Sequence, residues 1–337
     1  MNIYKVAIIG CGSIGALKGD KIDSPNSENI LTHCHAIFQH PRTDLYAVID
    51  TDNEKLTQTK AKWQAQLALR SFEDLETHGH KPPDIVIVAV PTELHYEILH
   101  SMFVGINRPK LIIAEKPFCT SSSYARAITE SYNEEKIPIM IDYIRRFATG
   151  YQEIKKQIDS GKFGKALNCH ILYTRGLRHE GCHAIDLMRY FFRDCISVDY
   201  IENGRLGEIL VIDRDENDPT IYAKFAFEKC PHVTFIPCDG RKYGIFEIDI
   251  CFETCRIRFI DNGLYYEIYP IKEENEWGHK SLDYQITSVV RRETGLNIAL
   301  YNLIDNAVKF LDGKEKLICT AEDAIAVHKI LEDLRRK

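Results

Sequence analysis

No apolar run in these 337 residues approaches the roughly 18 consecutive positions that a membrane-crossing helix needs, and neither charge sign gathers into a long block. With 43 basic against 49 acidic residues and a net charge of −6, the chain lacks the footprint of a nucleic-acid or anionic-membrane binder, so small molecules are the expected partners. The first twelve residues lack the basic-then-apolar order of a secretory signal, and the cytosol is the expected address. Its 11 cysteines, scattered from Cys11 to Cys319, form no Cys-x-x-Cys pair. Several sit in apolar strand-like runs, where a reduced cysteine behaves as a small hydrophobe. Repeats and low-complexity tracts are also missing.

What is present is an ordinary globular composition, 45% hydrophobic and 27% charged, at a length that predicts two domains. Short β-branched runs at Lys5 to Ile9, Leu45 to Ile49, Ile85 to Val90 and Leu111 to Ala114 alternate with amphipathic stretches such as Glu54 to Leu69 and Thr92 to Phe103. Parallel strands need crossover helices, so this alternation predicts an α/β, doubly wound parallel sheet over residues 1–120. From Ala166 onward the runs lengthen and partly alternate (Ala166 to Thr174, Ile221 to Phe227, Gly244 to Phe252, Arg256 to Ile260, Leu264 to Tyr269) without intervening helices. That texture predicts an α+β domain over 121–337 with a mainly antiparallel sheet, and helices at Glu180 to Phe192 and again after Ser281.

Directly after the first strand stands Gly10-Cys11-Gly12-Ser13-Ile14-Gly15, a G-x-G-x-x-G where that spacing has mechanical meaning. The first glycine permits a tight turn, the second lets backbone approach a pyrophosphate, and the third lets helix pack on strand. The phosphates would meet the positive end of the following helix. Asp50 closes the second strand, where a carboxylate accepts ribose hydroxyls and repels a 2′-phosphate, so NAD is favoured over NADP. Gly15 and Asp50 are 35 positions apart against about 20 ordinarily, which predicts an insertion over Ala16 to Thr32, either a lid or a tolerated surface decoration.

Further motifs follow in order: Val90-Pro91-Thr92 with His95, Ala114-Glu115-Lys116-Pro117, Arg145-Arg146-Phe147, Ser160-Gly161-Lys162-Phe163-Gly164, and His183-Ala184-Ile185-Asp186. In order and spacing the chain resembles the Gfo/Idh/MocA (glucose-fructose oxidoreductase, inositol dehydrogenase, rhizopine-catabolism) family. The resemblance implies a Rossmann domain with an α+β domain whose open sheet serves oligomer contacts, here a homodimer or homotetramer. It implies hydride transfer to or from a secondary alcohol of a sugar, cyclitol or nucleotide-sugar. Lys116 then lies beside nicotinamide and substrate, and His183 matches the later motif's histidine. The glycine loop, Asp50, Val90, Pro91, Thr92, His95 and Glu115 form the cofactor side, with His95 in a structural or nicotinamide-loop role.

Chemistry supports these two residues. An alcohol losing hydride must also lose a proton, which histidine suits, and an adjacent ammonium stabilises the developing alkoxide. One departure stands out: where the family carries an aspartate four residues before that histidine, this chain has His179. On one helix His179 and His183 would share a face, and Glu180 would be out of phase to replace the carboxylate. A less acidic site suits an anionic substrate, for which Arg145, Arg146, Arg175 and Arg178 are candidates. No metal is expected, since neither the His179/His183 pair nor His33-Cys34-His35 finds a third ligand. The alternatives are a dinucleotide-binding regulator without turnover and a reductase of C=N or C=C bonds.

Overall fold

The structure is a computed structural model describing residues 2–19, 21–106, 108–200, 211–213, 218–272, 274, 278–285 and 287–335. Two compact units divide the chain: Met1–Phe147 with Asn297–His328, and Ala148–Leu296 with the chain's last residues.

The first unit runs β1 (Tyr4–Ile9), α1 (His33–Gln39), β2 (Thr43–Ile49), α2 (Asn53–Trp63), β3 (Leu67–Leu69), α3 (Asp74–Thr77), β4 (Ile85–Val88), α4 (Thr92–Val104), β5 (Leu111–Glu115), α5 (Ser122–Glu134) and β6 (Ile139–Asp142). Its six strands lie in the order β3-β2-β1-β4-β5-β6 and every pair is parallel. This is the strand order of a dinucleotide-binding doubly wound sheet. Ile85, Val86, Ile87 and Val88 are wholly buried, because helices cover both faces of a parallel sheet and leave no side for polar alternation. α2 stops at Trp63 because Gln64 turns left-handed, which frees the chain for β3, a strand that the expected helix through Leu69 had absorbed.

The sheet also continues past the residue-120 boundary suggested by sequence. Ile139–Asp142 adds a sixth strand, and a 3₁₀ turn over Ile144–Phe147 follows it. Far along the chain, α8 (Ala299–Leu311) and the first half of α9 (Ala321–Arg335) belong to this same unit. Arg42 grips Asp312 with both guanidinium arms, and Tyr4 donates to the same carboxylate at 2.9 Å.

The second unit contributes α6 (Thr149–Asp159), β7 (Ala166–Tyr173), α7 (Cys182–Phe192), β8 (Cys195–Tyr200), β9 (Val211–Asp213), β10 (Thr220–Ile221), β11 (Ala223–Phe227), β12 (Cys230–Pro237), β13 (Phe246–Phe252), β14 (Cys255–Ile260), β15 (Tyr265–Pro270) and β16 (Val290–Glu293). Eight of these strands form one sheet, β16-β15-β14-β13-β7-β12-β11-β8, antiparallel except where β7 meets β12. Burial alternates residue by residue along β13 and β14, so one face packs a core and the other does not. Tyr151 of α6 stacks on Phe259 of β14 at 4.4 Å between ring centres, with Phe191 of α7 alongside. Among the described residues no helix is long and apolar enough to cross a membrane.

Candidate functional site

At the carboxyl end of β1 the glycine loop has the tightness that its spacing predicts. Gly10 adopts φ +103°, and a Cβ there would stand 2.4 Å from the Ala89 carbonyl oxygen. A Cβ on Gly15 would meet the Gly10 oxygen at 2.0 Å, whereas one on Gly12 would meet nothing within 4 Å. The loop is thus closed where strand and helix pack and open where a pyrophosphate would pass, which is the fit a dinucleotide requires. Beside it lies a cavity of about 590 Å³ lined by Gly10, Gly12, Asp50, Thr51, Val90 and Pro91 together with Lys55, Arg70 and Ser71. Thr51, Lys55, Arg70 and Ser71 were not foreseen, since no local pattern marks the residues that line a cavity beyond the glycine loop and Asp50.

Asp50 does more than face this cavity. One carboxylate oxygen accepts the Cys11 amide at 2.8 Å and the other the Asp52 amide at 2.9 Å, so it also braces the loop. Burial pushes the Cys11 thiol up to about 11, with the Asp50 charge adding to that rise, which leaves the loop's cysteine protonated and inert.

The helix after the loop is interrupted. Ala16 and Leu17 both donate to the Gly12 carbonyl, completing one turn, and the chain then departs. It returns as α1, whose first amides, from His33 and Cys34, donate to the carbonyls of Ile14 and Gly15. The insertion is therefore spliced into a helix, with the carbonyls of the first turn capping the second segment. It is pinned by Asp23, wholly buried, which accepts from the Leu31 amide (3.1 Å), the Thr32 hydroxyl (2.8 Å) and His35 Nδ1 (2.7 Å). His33, Cys34 and His35 lie on a helix and diverge, since His35 turns to Asp23 while His33 turns to Glu115.

His95 is wholly buried, its ring spanning the carbonyls of Val90 (2.9 Å) and Phe118 (3.0 Å). It ties the turn after β4 to the turn after Glu115-Lys116-Pro117, and burial holds its pKa below the usual value. Lys116 stands immediately after β5, at the carboxyl edge of the sheet where ligands of such folds bind. Glu115 turns its carboxylate inward to His33 Nε2 at 2.8 Å, and Asp142 of β6 lies 3.7 Å from the same nitrogen. The three side chains bring donor atoms within 4.8 Å of one another. Burial works against the Glu115 charge, yet His33 and Lys116 hold its pKa below the carboxylate norm; burial and the Glu115 charge drive Asp142 well above it. Sequence alone weighed His33 only with Cys34 and His35, and did not single out Asp142.

Two of the four arginines take unexpected positions. Arg145 and Arg146 are both buried on the 3₁₀ turn, and Arg146 reaches Asp323 at 3.2 Å and the Ile318 carbonyl at 3.3 Å. These bonds hold Arg146 within the first unit.

In the second unit, the segment expected to be one helix from Glu180 begins with a wider π-helical turn, Leu177–Gly181, before α7. Gly181 donates to Gly176, five residues back; His179 is exposed on this wider turn while His183 is buried on α7. Asp218 accepts the amides of Arg178 (2.7 Å) and His179 (2.9 Å), and Gly176 is required there because a Cβ would strike that carboxylate. Arg175 pairs with Glu180, so this glutamate serves the turn.

Residues 4–143 match the family model described as "Oxidoreductase family, NAD-binding Rossmann fold". The chain is 29% identical over 132 residues to the scyllo-inositol 2-dehydrogenase (NAD(+)) of Bacillus subtilis, covering 38% of this chain and 36% of that one. It is 27% identical over 263 residues to the inositol 2-dehydrogenase/D-chiro-inositol 3-dehydrogenase of Lactiplantibacillus plantarum, covering 71% and 69%. The first of these matches thus spans little more than a third of its relative's length. Among solved structures, the WlbA dehydrogenase of Bordetella pertussis, determined with NADH and UDP-GlcNAcA, superposes with a TM-score of 0.75 at 18% identity over 99% of this chain and 95% of that one. Loop, strand order and sequence match together show that residues 4–143 carry the NAD-binding Rossmann domain of the Gfo/Idh/MocA oxidoreductase family.

Proposed function

We propose that the protein is an NAD(H)-dependent oxidoreductase interconverting a secondary alcohol and ketone on a sugar, cyclitol or nucleotide-sugar. The observation that carries this reading is the glycine cradle, closed at Gly10 and Gly15, open at Gly12 and flanked by Asp50. The bound nicotinamide would accept or supply the hydride. Lys116 presents an ammonium to the substrate oxygen and stabilises the negative charge gathering there. His183 takes the hydroxyl proton in one direction and returns it in the other. Asp50 keeps lone pairs for ribose hydroxyls and opposes a 2′-phosphate, so NAD is the preferred form. The likeness to enzymes named inositol dehydrogenases supports a cyclitol-like substrate. A cytosolic address and a homodimer or homotetramer built through the second unit's sheet complete the reading.

Stopped-flow or steady-state assays on inositols and sugars, followed by NADH fluorescence, test it. Lys116→Ala is expected to lower kcat by about 100-fold while NADH affinity holds, and unchanged turnover would refute the role. Titration should give tighter binding of NADH than of NADPH; the reverse order would remove Asp50's part. A second reading, binding without turnover, draws support from His179 where the family carries an aspartate. It predicts NADH binding with no conversion of any alcohol, ketone, imine or conjugated alkene in the panel.

A further inference from the structure

Glu115 and Asp142 are partners in the parallel ladder, standing side by side at the carboxyl ends of β5 and β6. Both turn toward His33 Nε2, which carries at most one hydrogen. At 2.8 Å that hydrogen belongs to Glu115; at 3.7 Å Asp142 receives none. His33 is wholly buried, Asp142 is 3% exposed, and the Glu115 side chain is 12% exposed. Two adjacent carboxyls in so dry a place cannot both ionise, and a hydrogen bond between them requires a proton. His33 Nδ1, buried and without a hydrogen-bond partner, fits a neutral ring that spends its one N–H on Glu115.

The remaining charges nearby are cationic. Lys116 follows Glu115 in sequence, and Lys18, brought by the insertion, acts on Asp142 and is itself acted on by Asp23 and Glu115. Buried His95 also senses Glu115. Two ammonium groups already face the single negative charge that the two acids share, so a divalent cation would enter against like charge. The His-Glu-Asp grouping is therefore better suited to sharing a proton than to holding a metal.

We propose that Asp142 is a neutral hydrogen-bond donor to the Glu115 carboxylate, and that Asp142 and His33 are positioning residues that fix Glu115 as the single negative charge beside Lys116. The functional half of this rests on Lys116 acting at the substrate oxygen. The protonation half stands by itself. It follows that asparagine, which donates from the same place, substitutes for Asp142, whereas alanine leaves Glu115 short of a donor.

Infrared difference spectroscopy of the whole protein, wild type against Asp142→Asn, reads the proton directly. A protonated-carboxyl C=O band at pH 7 that is missing in the variant is the expected result; carboxylate bands alone would overturn the proposal. Were the variant not to fold, the band would be followed in the wild type from pH 6 to pH 8, where disappearance at the lower end of that range counts against it. In turnover, Asp142→Ala should lose about tenfold or more in kcat and shift the pH profile, with Asp142→Asn recovering most of the loss. Equal losses, or zinc or manganese that co-purifies with wild type and is absent from Asp142→Asn, would show an anionic or metal-binding Asp142 instead. If Lys116→Ala leaves kcat unchanged while the infrared band persists, only the Lys116 reading fails.

Discussion

A carboxyl that stays protonated inside a fold costs stability wherever water would ionise it. The folded-state pKa of Asp142 is raised, first by burial and then by Glu115, above the ordinary 3.8. Its sign is therefore opposite to the usual aspartate: no penalty exists below the unfolded value, and one accumulates as pH rises from there toward the folded value. Glu115, with a lowered pKa, contributes stability above its ordinary 4.5 that is lost as pH falls. Asp142→Asn removes the penalty and keeps the donor. Its Tm is expected to exceed that of wild type by about 2 °C or more at pH 8, with the gap closing toward pH 4. A variant less stable at pH 8 than at pH 4, relative to wild type, would contradict this. The site was legible in sequence where a motif's spacing or its place at a strand end marks the residue. Gly10, Gly12 and Gly15 announce themselves by spacing, and Glu115-Lys116-Pro117 by adjacency. His33 and Asp142 become partners of Glu115 only through strand register and a spliced helix, neither of which leaves a local pattern.

Among the elements, the insertion shows how a long excursion is tolerated when a few buried bonds fix its return. Residues 16–32 were legible as extra because the glycine loop and Asp50 stand too far apart. That they interrupt a helix was not, since turn-rich residues say nothing about which carbonyls await the returning chain. Asp23 satisfies an amide, a hydroxyl and an imidazole at once, and its pKa is lowered because these donors outweigh its burial. Its contribution is present above the ordinary 3.8 and lost as pH falls. Asp23→Ala is expected to cost about 3 kcal/mol near neutral pH, seen in denaturant melts, and to open the segment to protease at Ser24 to Ser27. Protection equal to wild type would show that the segment holds without it. β6 was overlooked although Ile139, Met140 and Ile141 form an apolar run after Pro138, and with it the unit's true extent.

For the whole molecule, continuity in sequence and continuity in the fold part company. The strand pattern of the first 120 residues suffices to name the doubly wound sheet, because buried parallel strands write themselves as unbroken β-branched runs. It cannot reveal that Asn297–His328 closes the same unit, since amphipathic helices carry no mark of the sheet they cover. The consequence is energetic. Arg146, buried to 4% exposure, depends on Asp323 and the Ile318 carbonyl, and the Phe147 carbonyl accepts from Asn302. A chain ending at Phe147 keeps every strand of the Rossmann sheet and the three glycines of the loop, yet loses Asp323, the Ile318 carbonyl and Asn302, which the returning helices bring to Arg146 and Phe147. Losing these bonds together with the apolar faces of two covering helices removes a large part of a domain's narrow margin of stability. Residues 1–147 alone are therefore expected to melt without cooperativity and to bind NADH weakly. Joining residues 297–328 to Phe147 by a short flexible linker should restore a cooperative transition and dinucleotide affinity together. Full NADH affinity in the shorter chain would mean that the returning helices cover the sheet without supporting it.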